Sequence, residues 1–203
     1  MKKDLDLVRI VSYIFFDGHL YKSLKCFYLS SKDINNLKEF EKLVKKKFNI
    51  NGKYYLNDGG AGRNKTHKYR IFSKKICMQL NNLGVPKGSK TINKFSIPSW
   101  ILKNKKFAKE FVRIAYLCEG SMKENRKNPR IKFNINKSKD LLKNGLKFIK
   151  DIKKILKDNN IKTTKIGIYN AKSRKDGILV KELRFRVITQ DNNKFIKEIG
   201  WLK

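Results

Sequence analysis

The chain carries the same short pattern at two points half its length apart. Residues 12–20 read SYIFFDGHL and residues 115–122 read AYLCEGSM. Each is an apolar run closed by an acid and a glycine, Asp17-Gly18 and Glu119-Gly120, 102 positions apart in 203 residues. A repeat of half the chain restricts the fold to two copies of one supersecondary unit. The order of elements agrees. Residues 5–16 predict an apolar helix, and a hairpin follows over roughly 19–31. Residues 32–48 place Ile34, Leu37, Phe40, Leu43, Val44 and Phe48 near helical spacing. GKYYLN and THKYRIF predict strands around the turn DGGAGRNK, and residues 73–83 predict a short helix ended by Gly84 and Pro86.

The second half repeats this order. Residues 105–118 predict a helix that stops at Glu119-Gly120, and SMKENRKNPRIKFNIN predicts a hairpin turning at NRKNP. Residues 138–156 are amphipathic, with Ser138 or Asp140 as the expected N-cap. TTKIGIYN and VKELRFRVI predict strands around AKSRKDGIL, and residues 192–201 predict a closing helix. The expected domains are residues 1–85 and 105–203. The linker between them, 86–104, holds two of the three prolines, and Trp100 with its apolar neighbours suggests that it packs on a core.

Composition bears on the partner. Lys and Arg total 50 against 17 Asp and Glu, a net charge of +33, while 40% of residues are hydrophobic. Such a chain is globular, repels itself when compact, and calls for a polyanion. Nucleic acid is the leading candidate, because neutralising phosphates releases counterions; an acidic membrane surface is the weaker one. No apolar run reaches the ~18 residues of a membrane span. Asp4, Asp6 and Arg9 interrupt the one run that looks like a signal peptide, so the expected location is intracellular. Cys26, Cys77 and Cys118 lack C-x-x-C spacing and read as structural thiols. Only His19 and His67 are available for histidine chemistry. His19 is equally readable as a DNA contact or a plain hairpin residue. Tyr54, Tyr55 and Tyr69 read as core or as base-contacting, with core the safer reading.

Strand alternation shows what the polar faces carry. Arg130, Lys132, Asn134 and Asn136 oppose Ile131, Phe133 and Ile135. Arg184 and Arg186 share a face, as do Lys68 and Arg70. Thr163, Lys165 and Tyr169 are expected to share another. These faces are basic or amide, with Glu182 the exception, where an ordinary solvated face mixes signs. They suit a DNA groove, in which Arg pairs with guanine and Asn with adenine. Lys22, Lys25, Lys53, Arg63, Arg126 and Arg174 complete the expected DNA-binding set from hairpins and loops.

Asp17 and Glu119 each stand at a helix C-terminus, where a carboxylate is disfavoured by about 0.3–1 kcal/mol. A divalent cation shared by both acids and nearby backbone carbonyls would offset that cost and serve phosphodiester hydrolysis. Gly18 and Gly120 would let the backbone approach the same point. The plainer reading is two unrelated helix ends, and the repeat spacing counts against it.

IVSYIFFDG and VRIAYLCEG resemble the two LAGLIDADG motifs of a single-chain, archaeal-like homing endonuclease. FDGHLYK, FVRIAYLCEGS, and LGVPKGSK followed by IPSWI support the resemblance across the whole chain. The resemblance implies an α+β fold of two pseudo-symmetric αββαββα halves. Each would hold a four-stranded antiparallel sheet forming a DNA-binding saddle, with the motif helices at the interface. It implies a monomer that cuts both strands of a long asymmetric DNA duplex with Mg2+ (or Mn2+), held by Asp17 and Glu119. It also implies polar groups near the scissile phosphates: Ser31 and Lys32 in the first half, Asn136 and Lys137 in the second, and Lys123. Family members favour small residues where the motif helices cross, whereas Ser12, Phe16, Ile114 and Cys118 stand here. Two other functions use the same scaffold: an RNA maturase acting on its host intron RNA, and a non-catalytic nucleic-acid binder. The intact acids favour the nuclease. The start at Met1, without splice-junction cysteine or C-terminal His-Asn, reads as a free-standing or intron-encoded cytoplasmic protein and not an intein.

Overall fold

The apolar run that precedes Asp17 is a helix buried over most of its surface. Its start is set by Asp4, whose carboxylate accepts from the Leu7 N–H at 3.0 Å and holds Lys47 at 2.5 Å. The structure, a computed structural model, describes residues 2–57, 66–123, 130–171, 174 and 176–200. The chain divides into two units, Met1–Gly88 and Ser89–Lys203.

The first unit runs α1 (Leu5–Phe15), β1 (Gly18–Leu20), β2 (Cys26–Ser31), α2 (Ile34–Phe48), β3 (Lys53–Asn57), β4 (Thr66–Phe72) and α3 (Lys74–Asn82). Its antiparallel sheet has the order β1-β2-β4-β3. Asp33 and Ser73 cap α2 and α3 by accepting from the N–H groups of Asn35 and Ile76. Asn49 closes α2 in the left-handed conformation, φ 50°. One sheet face, with Phe27, Leu29, Tyr69 and Ile71, packs under α2, where Leu37, Phe40 and Val44 are buried. The Phe40 ring meets Tyr13, Phe27 and Tyr69 edge-on at 5.9, 6.4 and 6.4 Å. Each such ring contributes about 1.5–3 kcal/mol by leaving water.

The second unit runs α4 (Ser99–Leu102), α5 (Lys105–Glu119), β5 (Gly120–Lys123), β6 (Arg130–Ser138), α6 (Leu142–Asp158), β7 (Gly167–Asn170), β8 (Val180–Arg186) and α7 (Asn192–Glu198). The sheet order, β5-β6-β8-β7, repeats that of the first unit. Tyr116, Phe133, Phe185 and Phe195 form its aromatic centre, with neighbouring rings 4.5–5.7 Å apart. The expected α+β architecture of two αββαββα halves is therefore present, with α4 as an addition.

Three local readings need correction. The expected Ser138 or Asp140 cap is replaced by a 3-10 turn over Lys139–Leu141, and α6 opens at Leu141 with no side-chain cap. TTKIGIYN is not one regular strand. Thr163 bridges Val187, yet Gly167 already pairs with Arg184, so four steps on one strand face three on the other. The extra residue is a bulge, and it reverses the alternation. Thr163 therefore faces the side of buried Val187, while Tyr169 lies opposite Glu182 on the polar side. Thr163 and Tyr169 do not share a face. Finally, α7 ends at Glu198; Trp201, the expected end of that helix, lies outside the described residues.

The linker packs as expected: Lys87 bridges Leu20 and the Gly88 N–H donates to the Leu20 carbonyl at 2.7 Å in the first unit, and from Ser89 onward it packs on the second. The Ser138 N–H donates to the Thr91 carbonyl at 2.9 Å. Asn144 bonds both backbone groups of Phe95, at 3.1 and 2.9 Å, and the Phe95 ring stands edge-on to Phe148 at 4.9 Å. All three cysteines are free thiols. Among the described residues no helix is long and apolar enough to cross a membrane.

Candidate nucleic-acid interface and the two acid–glycine ends

Each unit turns from its first helix into its first strand at the acid–glycine pair, and the same packing requirement sets both turns. A Cβ on Gly18 would lie 2.5 Å from the Ile14 Cα and 2.7 Å from the Tyr28 carbonyl oxygen. A Cβ on Gly120 would run into the Tyr116 carbonyl oxygen and lie 2.9 Å from its Cα. Glycine is needed because the strand leaves across the helix's own last turn. Gly18 pairs with Leu29, and Gly120 with Phe133. Asp17 and Glu119 both keep a half-exposed position; Glu119 is the last residue of α5, and Asp17 follows α1 by two residues. The Asp17 carbonyl accepts from the Ser30 N–H at 3.4 Å. Among the described residues no three His, Cys, Asp or Glu side chains converge. A cation at these ends would take oxygen from carboxylate and backbone, a donor set that fits Mg2+, Mn2+ or Ca2+.

The glycine partners supply a register that corrects the equivalence between halves. Counting from Leu29 and Phe133, Ser31 matches Ile135, Lys32 matches Asn136, and Lys137 matches Asp33. Lys32 and Asn136 are both exposed. Ser31 shares the face of Phe27 and Leu29, and its hydroxyl accepts from the Asp33 N–H at 3.1 Å. Lys137 follows Ile131, Phe133 and Ile135 onto the inner face and is fully buried. Its Nζ donates to the carbonyls of Lys90 and Asn93 at 2.7 and 2.5 Å and stands 4.0 Å from the Phe95 ring centroid. Burial lowers its pKa to about 8. Lys137 fastens the linker and is remote from the polar face. The Lys123 side chain lies outside the described residues, although its backbone pairs with Arg130.

The outer faces of the two sheets carry the expected cations. On the second, Lys132 stands opposite Arg186, Asn134 opposite Arg184, and Asn136 opposite Glu182. Ser121, Arg130, Lys132, Lys165, Tyr169 and Arg184 are among the lining of a groove of about 560 Å³. On the first, Lys53 pairs with Arg70 and Tyr55 with Lys68, while His19 lies opposite Tyr28. The Arg70 guanidinium lies 5.0–5.9 Å from the rings of Tyr21, Tyr28, Tyr55 and Phe72. Lys68 Nζ lies 5.1 Å from the Tyr28 centroid, and His19 stacks on Tyr28 at 5.5 Å.

No family model matches the chain. Over 211 residues it is 26% identical to the tRNA-splicing ligase RtcB of Pyrococcus abyssi, covering 96% of this chain and 22% of that protein. Over 208 residues it is 32% identical to the replication factor C small subunit of Methanocaldococcus jannaschii, covering 95% of this chain and 11% of that protein. It is 27% identical over 212 residues to the DNA-directed RNA polymerase subunit Rpo1N of the same organism, covering 96% and 16%. The chain thus spans between 11% and 22% of the length of these curated relatives. Its backbone is similar to that of I-DmoI in complex with DNA and Mn, with TM-score 0.59, 15% identity, and 98% and 99% of the two chains covered. It is similar to the homing endonuclease I-WcaI bound to its DNA recognition sequence, with TM-score 0.60, 10% identity, and 97% and 80% covered. It is similar also to the N-terminal LAGLIDADG domain of WhiA, with TM-score 0.58, 16% identity, and 99% and 84% covered. The chain has the two-half LAGLIDADG fold.

Within that LAGLIDADG fold the remaining expected contact residues take different places. Lys22 and Lys25 are exposed in the β1–β2 turn. Arg174 is spent on its own loop, bonding Asp176 at 3.0 Å and the Ser89 hydroxyl at 3.2 Å. Arg63 and Arg126 lie outside the described residues, as do residues 58–65 and 124–129, where turns are expected. Tyr69 is core, as expected, and its hydroxyl accepts from the Gly52 N–H at 2.6 Å. Tyr55 lies instead on the outer face, against Arg70. Sequence reading missed Gly167 and the inward Lys137, and for Lys137 the alternation of β6 already held the signal.

Proposed function

We propose that the chain is a site-specific endonuclease that cuts both strands of a long asymmetric DNA duplex as a monomer, using Mg2+ or Mn2+. The observation that carries this reading is the repeated junction: the same glycine packing at Gly18 and Gly120 brings Asp17 and Glu119 to the same point of each LAGLIDADG unit. A pure binder gains nothing from two carboxylates held this way in a chain of net charge +33. Asp17 beside Gly18 and Glu119 beside Gly120 would each offer a carboxylate and backbone carbonyl oxygen to the metal. Bound there, it would supply a more acidic water and neutralise charge on the phosphodiester. The chain's own groups do the rest. Lys68, Lys132, Arg130 and Arg186 bind the duplex; Lys32 and Asn136 order water or stabilise charge beside the scissile phosphates, with Lys123 as a further candidate.

Two comparisons support this reading. Solved structures with this fold are bound to DNA, one of them with Mn and one with Ca. The matching segment also recurs inside proteins named as a ligase, a replication factor and a polymerase subunit. An activity of its own, independent of those names, accounts for that distribution. The fold is shared with a WhiA domain as well, so cutting rests on the acids and not on the fold. The test is a cleavage selection over a library of random duplexes with Mg2+ and, separately, Mn2+, each with and without a chelator. The expected result is one family of cut sites that vanishes on metal removal. Persistent cutting under the chelator, or no cut sites with either metal, overturns the proposal.

A further inference from the structure

On the outer face of the second sheet one guanidinium is held differently from the others. The Arg184 guanidinium carbon stands 3.9 Å from the centroid of the Tyr169 ring. That ring in turn reaches over Gly167, two residues back on β7: a Cβ at Gly167 would fall 2.6 Å from its Cε2 and its hydroxyl oxygen and 2.8 Å from its Cζ. Gly167 and Tyr169 share a face, being paired with Arg184 and Glu182. Backbone, ring and guanidinium thus pack together, and a side chain at 167 would displace the ring. Glu182 closes the Nε edge of Arg184, its Oε1 at 3.5 Å.

A free arginine loses rotamer entropy when it is fixed in one geometry. A stacked, edge-anchored arginine has met part of that cost before any ligand arrives. A phosphate can also take the guanidinium fork bidentately, but its tetrahedral oxygens accept it from several directions. Fixed orientation matters more to a planar base edge, which takes two parallel hydrogen bonds from the guanidinium fork. Glu182 adds to the distinction, because its carboxylate repels a phosphate and not a neutral base. The location agrees: β6 and β8 are the central strands of the sheet, and Asn134 stands directly opposite Arg184.

We propose that Arg184, braced by Tyr169 over Gly167, reads a guanine through its O6 and N7 in the major groove, and so sets one base-pair position of the target. This rests on the duplex-DNA reading above. The experiment is a binding selection on random duplexes with the full chain and with Arg184→Ala, Tyr169→Ala, Tyr169→Phe and Gly167→Ala, each checked for its thermal midpoint. The wild type should enrich guanine at one position, and Arg184→Ala should lose roughly 5- to 150-fold of that preference while the other positions keep theirs. Tyr169→Ala and Gly167→Ala should weaken the same position alone, and Tyr169→Phe, which keeps the ring, should restore what Tyr169→Ala loses. A uniform loss across all sequences in Arg184→Ala, with the salt slope reduced by about one, would make it a phosphate contact and overturn the proposal. An unchanged guanine preference in both Tyr169→Ala and Gly167→Ala would overturn the brace. A wild type that retains no duplex would sink the DNA reading itself, and this proposal with it.

Discussion

The outer face of the first sheet is aromatic around its cations, and that of the second is cationic with one aromatic. Arg70 is ringed by Tyr21, Tyr28, Tyr55 and Phe72, and its Nε is buried without a hydrogen-bond partner. Arg184 lies on a single ring, with the opposite position held by an amide, Asn134. The strand order is the same, and so is the packing at the glycine junction. The side chains on the polar face differ. A scaffold duplicated in this way can therefore carry two chemistries on its polar faces: apolar and π contacts on the first unit, donor forks on the second.

The junctions are where the two units should behave alike. Gly18→Ala and Gly120→Ala each drive a Cβ into fixed backbone, and each should cost about 1–3 kcal/mol or more in urea unfolding. Hydrogen exchange should localise the damage to the substituted unit. An alanine tolerated at one junction and not at the other would break the equivalence.

Lys137 is where the units should differ, because its counterpart by register is Asp33, an exposed helix cap. Burial depresses the Lys137 pKa from 10.5 to about 8. The unfolded chain therefore binds more protons between those values, and stability should rise with pH across that window. Below pH about 8 the full cost of the buried charge is present. Unfolding of wild type against Lys137→Met should show the wild type gaining as pH goes from 8 to 10.5, and Lys137→Met should speed amide exchange over residues 90–95. A flat difference would mean that burial does not depress the Lys137 pKa, and unchanged exchange over residues 90–95 would mean that its side chain does not fasten the linker.

The two arginines sharpen the contrast further. Arg70→Ala empties an aromatic cage and should cost about 1–2 kcal/mol of stability with little change in base preference. Arg184→Ala should do the reverse. The smallest effects belong to the plain cations: Lys68→Ala and Lys132→Ala should each reduce the slope of log affinity against log salt by about one, leaving preference unchanged.

Much of this arrangement is legible before any coordinates. An apolar run ending in acid–glycine marks the junction, since a helix stop and a tight strand departure need those residue types together. Alternation in 130–136 assigns the outer face because one face of that strand is wholly apolar. What is not legible has local causes. A bulge adds one residue without altering composition, so Thr163, Thr164 and Lys165 are compatible with either face. Continuing the alternation one step would have turned Lys137 inward, but a lysine there invites a surface reading, because its carbonyl partners in Lys90 and Asn93 are distant in sequence. The Gly167–Tyr169–Arg184 stack joins two strands whose register a linear pattern does not specify.

The most direct measurement is cleavage and binding of a selected duplex in Mg2+ by Asp17→Asn and by Glu119→Gln, each against the wild type. Each substitution keeps the side chain's size and removes its charge. Both variants should bind the duplex as tightly as the wild type or tighter, and neither should cut both strands. Full double-strand cutting by either variant would contradict the assignment of Asp17 and Glu119 as the metal-holding pair.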